Sequence, residues 1–242
     1  MILAAGEGRR LMPLTADVPK VMLPLAGRPL LELLVRWCRL HGVTDVHVNL
    51  FHAKERILEH FSDGAAFGVR MHYLHIPALR PPLEDVRIFA STFNEPFYVL
   101  YGDVATTLDL SALADSHTET SARATVVVRK TDHPEDSDLA RIGPNAEVQG
   151  FIRKGSWKRE ADVYGNAGCY VLDPDFVRDA PVIPGADFID GLFEPALASG
   201  RVFGYVTDAW MLDIGTPERY ARAVREFVAP PGLLDSRVWR HL

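Results

Sequence analysis

An apolar run, Met1–Ala5, stops abruptly at Gly6-Glu7-Gly8 and is followed by Arg10, and this feature constrains the chain most. A stretch apolar on every side that ends in a glycine turn reads as a strand buried at the centre of a sheet. The turn offers backbone N–H groups to phosphate oxygens, and the Arg10 guanidinium can fork onto them. A strand followed by Gly-x-Gly is equally a plain structural turn. Two phosphate-binding loops are excluded: position 11 is Leu and the next glycine is Gly27, so the dinucleotide fingerprint lacks its third glycine, and no Gly-Lys-Ser/Thr follows. Lys20 stands after a proline and Pro24 stiffens the return, so the loop carries two cations with little slack.

Downstream, Leu30, Leu31, Leu34, Trp37, Cys38 and His41 recur at helical spacing with Gly42 just beyond, which predicts a helix over 29–41. Val46, Val48 and Leu50 alternate as a strand, 53–61 reads as a helix, Val69, Met71 and Tyr73 alternate again, and 83–93 reads as a helix. PFYVLYGD is a buried strand ending in Gly102-Asp103. This alternation predicts an α/β fold with a doubly wound, mostly parallel, Rossmann-like sheet. Beyond Asp103 the rhythm changes: a helix over 109–117, the strand ATVVVR, the polar loop HPEDSD, strands over 139–142, 147–153 and 163–172, a helix over 187–198 and the strand RVFGYV. This half should be a smaller α+β portion with antiparallel pairing. Thr216-Pro217 has the cap and first-turn proline of a helix over 217–227. With no linker in view, the reading is one domain over 1–228 and a C-terminal tail over 229–242.

Composition narrows the function. With 242 residues, 48% of them hydrophobic, the chain can bury a full core, and a net charge of −6 offers no broad cationic field for nucleic acid. Any phosphate-binding cations are therefore local, which suits a small anionic ligand. Cys38 and Cys169, the two cysteines, make neither a metal knuckle nor a disulfide framework. No apolar stretch reaches membrane-spanning length and MILAAG lacks the regions of a leader, so the expectation is a cytoplasmic protein with no membrane partner. His72 and His75 lie on opposite faces of one strand and have no third partner, which argues against zinc.

The long segment LAAGEGRRLMPLT…PKVMLPLAGRPLLE resembles the signature of the sugar-nucleotide pyrophosphorylases, the sugar-1-phosphate nucleotidyltransferase family that includes the glucose-1-phosphate and mannose-1-phosphate enzymes. The likeness recurs at Gly102-Asp103, FIRKG (151–155), NAGCYVL (166–172) and WMLDIGTPERY (210–220), covering residues 1 to about 228. HPEDSD, DFIDGLF and VFGYV are similar to the narrower branch that activates heptose 1-phosphates with GTP. The resemblance implies the nucleotide-diphospho-sugar transferase fold, and transfer of a nucleoside monophosphate from an NTP to a sugar 1-phosphate. It implies that Leu3, Ala4, Ala5, Gly6, Gly8, Arg10 and Gly102 line the nucleotide, that Arg10, Lys20 and Asp103 are catalytic, and that Asp103 and Asp213 share a Mg²⁺. Carboxylates at two strand ends suit a hard octahedral cation. The plainer alternatives are a turn-capping aspartate for Asp103 and a loop aspartate orienting Thr216 for Asp213.

By the same resemblance Lys154 meets the acceptor's phosphate, Asn166 touches sugar hydroxyls and Glu194 is a further sugar-phosphate-binding candidate. Two departures stand out. The family has an acid before this lysine and a proline after it, where this chain has Arg153 and Gly155, and a glycine-rich base-contacting segment is replaced by IPALRPPLEDVRI at 76–87. Prolines 81 and 82 donate no N–H, so Arg80 becomes the candidate for reading the base, which favours GTP. The partners implied are an NTP and a sugar 1-phosphate, with a homo-oligomer left open. Competing readings are a UTP- or dTTP-using transferase, a non-catalytic nucleotide-binding regulator, and a dinucleotide oxidoreductase, the last opposed by the missing glycine and by Asn49-Leu50 where an acid would stand.

Overall fold

The computed structural model describes residues 1–159 and 162–234. In chain order the elements are β1 (Ile2–Leu3), β2 (Pro24–Leu25), β3 (Arg28–Pro29), α1 (Leu30–Leu40), β4 (Asp45–Leu50), α2 (Glu55–Phe61), β5 (Arg70–His75), α3 (Pro82–Ala90), β6 (Phe97–Tyr101) and β7 (Val104–Thr106). There follow α4 (Leu110–Glu119), β8 (Ala124–Arg129), β9 (Leu139–Ile142), β10 (Val148–Ile152), β11 (Val163–Leu172), α5 (Pro174–Asp179), β12 (Val202–Val206), β13 (Met211–Asp213) and α6 (Pro217–Glu226). Two compact units emerge, one made of Met1–Leu79, Tyr101–Leu110 and the stretch from Ala209 on, the other of Arg80–Leu100 and Ser111–Asp208.

The first unit carries parallel pairing, β1 with β4 and β4 with β5. Residues 46–50 are all buried, including the polar His47 and Asn49, as expected of a strand covered on both faces. Asn49 explains itself: its Oδ1 accepts the Ala4 N–H at 2.6 Å and so fixes the end of β1. Helix α1 is buried on every side from Leu30 to Cys38, the expected Leu30, Leu31, Leu34, Trp37 and Cys38 included, and the buried Glu32 and Arg36 among them pair with each other. It ends where Gly42 takes φ +85°, the left-handed conformation that a side chain disfavours. β7 and β13 form a separate antiparallel ladder with Asp213 opposite Val104. That ladder brings Asp103 and Asp213 to one end.

The second unit is the antiparallel portion. β11 pairs with β6, β8 and β9, β10 adds to β9, and β12 pairs parallel with β8. Tyr170 packs on Phe188 and Phe193 at ring-centroid distances of 4.9 and 5.2 Å, all three fully buried. Arg87 of α3 donates to the carbonyls of Val177, Ala180 and Pro181, tying α3 to the end of α5.

Expected and observed elements differ at one place in type. The helix expected over 187–198 is instead a π turn, Ile189–Phe193, running into a 3₁₀ turn, Glu194–Ser199. Pro195 has no N–H to give an α ladder, and the Gly191 carbonyl it would have met accepts from Arg87 Nη2 at 3.4 Å. α5, β7, β13 and the 3₁₀ turns Arg9–Leu11 and Lys20–Met22 are additional to the sequence reading. Among the described residues no helix is long and apolar enough to cross a membrane.

Candidate active site

In the first unit the site is built on the loop after β1. Gly6 is exposed, and Gly8 takes φ +67° while its carbonyl accepts from Leu11 N at 2.8 Å and Thr15 Oγ1 at 2.9 Å. A methyl at Gly8 would also lie 2.9 Å from Thr15 Cγ2 and 3.1 Å from Lys20 Cβ, so both backbone and space require glycine. The loop thus closes over Lys20, whose Nζ lies 3.8 Å from where a Cβ on Gly6 would stand. Ala4 and Ala5 are buried and Leu3 is half-buried, with its carbonyl accepting the Gly102 N–H at 2.9 Å. Gly102 is forced: a methyl there would sit 2.7 Å from that same carbonyl oxygen.

Lys20 Nζ donates to Asp103 Oδ2 at 2.5 Å, with both side chains mostly sheltered. Ile214 N donates to the Asp103 carbonyl at 2.9 Å, which extends the β7–β13 pairing and holds Asp213 nearby. Asp213 in turn is gripped by Arg219, whose Nη1 donates to both carboxylate oxygens at 3.0 and 2.8 Å, and by Gly215 N at 3.0 Å. Arg219 is absent from the sequence reading. It lies three residues after the Thr216 cap, in the first turn of α6, where only the fold turns it back onto Asp213. Arg10 is exposed and makes no ion pair or hydrogen bond among the described residues; its Nη2 lies close against Gly215. Two carboxylates are therefore met by two cations, and Arg10 is the surplus positive charge beside an N–H-rich glycine loop. That balance suits an incoming polyanion.

Asp103 and Asp213 supply hard oxygen donors of the kind Mg²⁺ takes. No third Asp, Glu, His or Cys joins them as a cluster among the described residues. A cation held there would complete its shell from water and phosphate oxygens, which is how Mg²⁺ is commonly bound.

In the second unit Asp138 links two of the candidate residues: its carboxylate accepts the Lys154 N–H at 2.9 Å and its carbonyl accepts the Asn166 N–H at 2.9 Å. Lys154 Nζ meets Asp136 Oδ1 at 2.5 Å, an exposed pair. Asn166 Nδ2 donates to Tyr170 Oη at 3.0 Å and its Oδ1 accepts from Gly168 N at 3.1 Å, within an irregular register of β11. Arg153 pairs with Asp187, which holds its guanidinium pKa above the usual value. Burial pushes the Asp187 carboxyl up, but the Arg153 hydrogen bond and the N–H groups of Ile189 and Asp190 outweigh it and leave it below the ordinary range. Glu194 is exposed, and its side chain makes no hydrogen bond or ion pair among the described residues. Arg80 Nε donates to the buried Asp85 at 2.5 Å, while its Nη atoms make no hydrogen bond among the described residues.

The sequence model of the nucleotidyl transferase family matches residues 1–229. The chain belongs to the nucleotidyl transferase family. Among its relatives, the UTP–glucose-1-phosphate uridylyltransferase of Synechocystis sp. is 31% identical over 93% of this chain and 62% of its own length. The mannose-1-phosphate guanylyltransferase of Mycobacterium tuberculosis is 28% identical over 94% of this chain and 64% of its own. This chain thus spans less than two thirds of the length of either relative. A solved structure of a UDP-glucose pyrophosphorylase with UDP-glucose superposes with a TM-score of 0.79 at 17% identity, covering 93% of this chain and 95% of that one, which shows a shared nucleotide-diphospho-sugar transferase fold.

Proposed function

We propose that this nucleotidyl transferase moves a nucleoside monophosphate from an NTP to a sugar 1-phosphate and releases pyrophosphate, working in the cytoplasm with GTP and a heptose or mannose 1-phosphate. The observation that carries the reading is the Lys20–Asp103 pair beneath the Gly6–Gly8 loop, beside the uncompensated Arg10. In the proposed reaction an oxygen of the sugar phosphate attacks the α-phosphorus, a new P–O bond forms, and the bond to the bridging oxygen breaks as pyrophosphate leaves with that electron pair. The nucleophile is already an anion, so no protein base is needed. Lys20 and Arg10 stabilise charge on the phosphoryl oxygens and the leaving group. Asp103 and Asp213 would hold Mg²⁺, which when bound screens the two reacting anions from each other. Lys154 would hold the acceptor phosphate, exchanging Asp136 for it. Asn166 keeps one amide hydrogen for a sugar hydroxyl after its bond to Tyr170.

Asp85 supports the base assignment, because it holds Arg80 at Nε and leaves both Nη groups to donate to paired acceptors such as guanine O6 and N7. Incubation with Mg²⁺, each NTP in turn and a panel of sugar 1-phosphates, with pyrophosphate release as the readout, tests the whole scheme. GTP should give the highest kcat/KM, and Arg80→Ala should flatten the preference. No release with any pair refutes the activity. Selectivity for UTP or dTTP unchanged in Arg80→Ala refutes the base reading alone.

A further inference from the structure

Gly215 stands between the end of β13 and the Thr216 cap of α6. Its φ lies outside the left-handed region, so backbone freedom is not the reason for glycine here. Space is. A methyl at this position would lie 2.8 Å from Asp213 Oδ1, 3.0 Å from Arg10 Nη2 and 3.7 Å from Arg10 Cζ. An acid from one segment and a guanidinium from another therefore rest against the same bare Cα, and the Gly215 N–H donates to the acid at 3.0 Å. Arg10 has no ion pair or hydrogen bond among the described residues, so this packing locates its charge.

We infer that Gly215 is a positioning residue, whose missing side chain seats the Arg10 guanidinium and the Asp213 carboxylate side by side. The inference rests on the reading of Arg10 as a cation for the triphosphate. The obstacles around Gly215 separate this role from a structural one. At Gly102 the blocking atom is the Leu3 carbonyl, part of the backbone, whereas at Gly215 both blocking groups are the ends of side chains. Alanine at 215 should thus move two charges and leave the fold in place.

Four proteins decide it: wild type, Gly215→Ala, Arg10→Ala and the double variant, each titrated calorimetrically with inorganic tripolyphosphate. Gly215→Ala should weaken binding roughly 10-fold, as loss of a well-placed charge-assisted contact does. Its Tm should stay within about 2 °C of wild type. In the double variant Gly215→Ala should add clearly less to the loss from Arg10→Ala than it costs alone, because much of its effect on the anion passes through that side chain. A full additive loss, or a large drop in Tm with binding intact, overturns the inference. Independently of any ligand, the Arg10 Nε–H NMR signal, assigned by its disappearance in Arg10→Ala, should shift in Gly215→Ala; an unmoved signal also overturns it. Failure of the wild type to bind tripolyphosphate would count against the triphosphate reading, and the NMR signal would still decide the seating.

Discussion

Lys20 and Asp103, 83 residues apart in sequence, meet at 2.5 Å between Nζ and Oδ2 beneath the glycine loop. Each fixes the other: the lysine holds the Asp103 carboxylate, and the carboxylate holds the lysine's Nζ beneath Gly6. The pair is mostly sheltered but not sealed from solvent.

Lys20→Ala and Asp103→Ala should each lower the rate of pyrophosphate release by on the order of 10²–10³-fold, the usual cost of losing one preorganised charge. The fold should survive, because neither side chain fills the core. Steady-state rates alongside thermal melts check this, and activity lost only through unfolding would remove both residues from the mechanism.

Arg219 would compete with the proposed Mg²⁺ for Asp213, since one of its nitrogens already spans both carboxylate oxygens. Arg219→Ala should therefore lower the Mg²⁺ concentration that half-saturates the enzyme by roughly 3–10-fold, as removal of a neighbouring positive charge favours another. Turnover should fall at the same time, because the freed carboxylate is less well aimed. Direct Mn²⁺ titration by electron paramagnetic resonance gives the same answer without turnover, and weaker metal binding in the variant would show that Arg219 orients Asp213 rather than competing for it.

His47 supplies a pH dependence of stability. Burial, reinforced by the positive chain terminus and by His72 and opposed by Asp45, pushes its imidazole down from 6.5 to about 4. The unfolded chain thus takes up a proton that the folded chain resists. The stabilising contribution is present above about pH 6.5 and is lost as pH falls toward 4, amounting to roughly 3 kcal/mol at most. Urea unfolding of wild type and His47→Phe between pH 7.5 and 4.5 tests this: the wild type should lose stability more steeply, and parallel curves would refute the assignment.

The parts of the fold legible in the sequence are those that local physics controls. Helix α1 announces itself by apolar residues three and four apart and by Gly42 just past its end, and α6 by Thr216 and Pro217, because caps and faces are satisfied within a few residues of themselves. The glycine loop is legible for the same reason. Where a local pattern met a long-range demand it misled: the apolar spacing over 187–198 reads as an α-helix, yet Pro195 and the Arg87 guanidinium share out the backbone groups differently.

Among the candidate site residues, the sequence by itself determined which side chains are available: glycines 6 and 8, Arg10, Lys20, Asp103 and Asp213. Tertiary structure decided their company. Register between β7 and β13 brings Asp103 and Asp213 to one end, the start of α6 turns Arg219 onto Asp213, and the bare Cα of Gly215 makes room for Arg10. Sequence spacing carries no trace of these pairings, because charges find partners through space, and which segments lie side by side is settled by burial of the apolar faces around them.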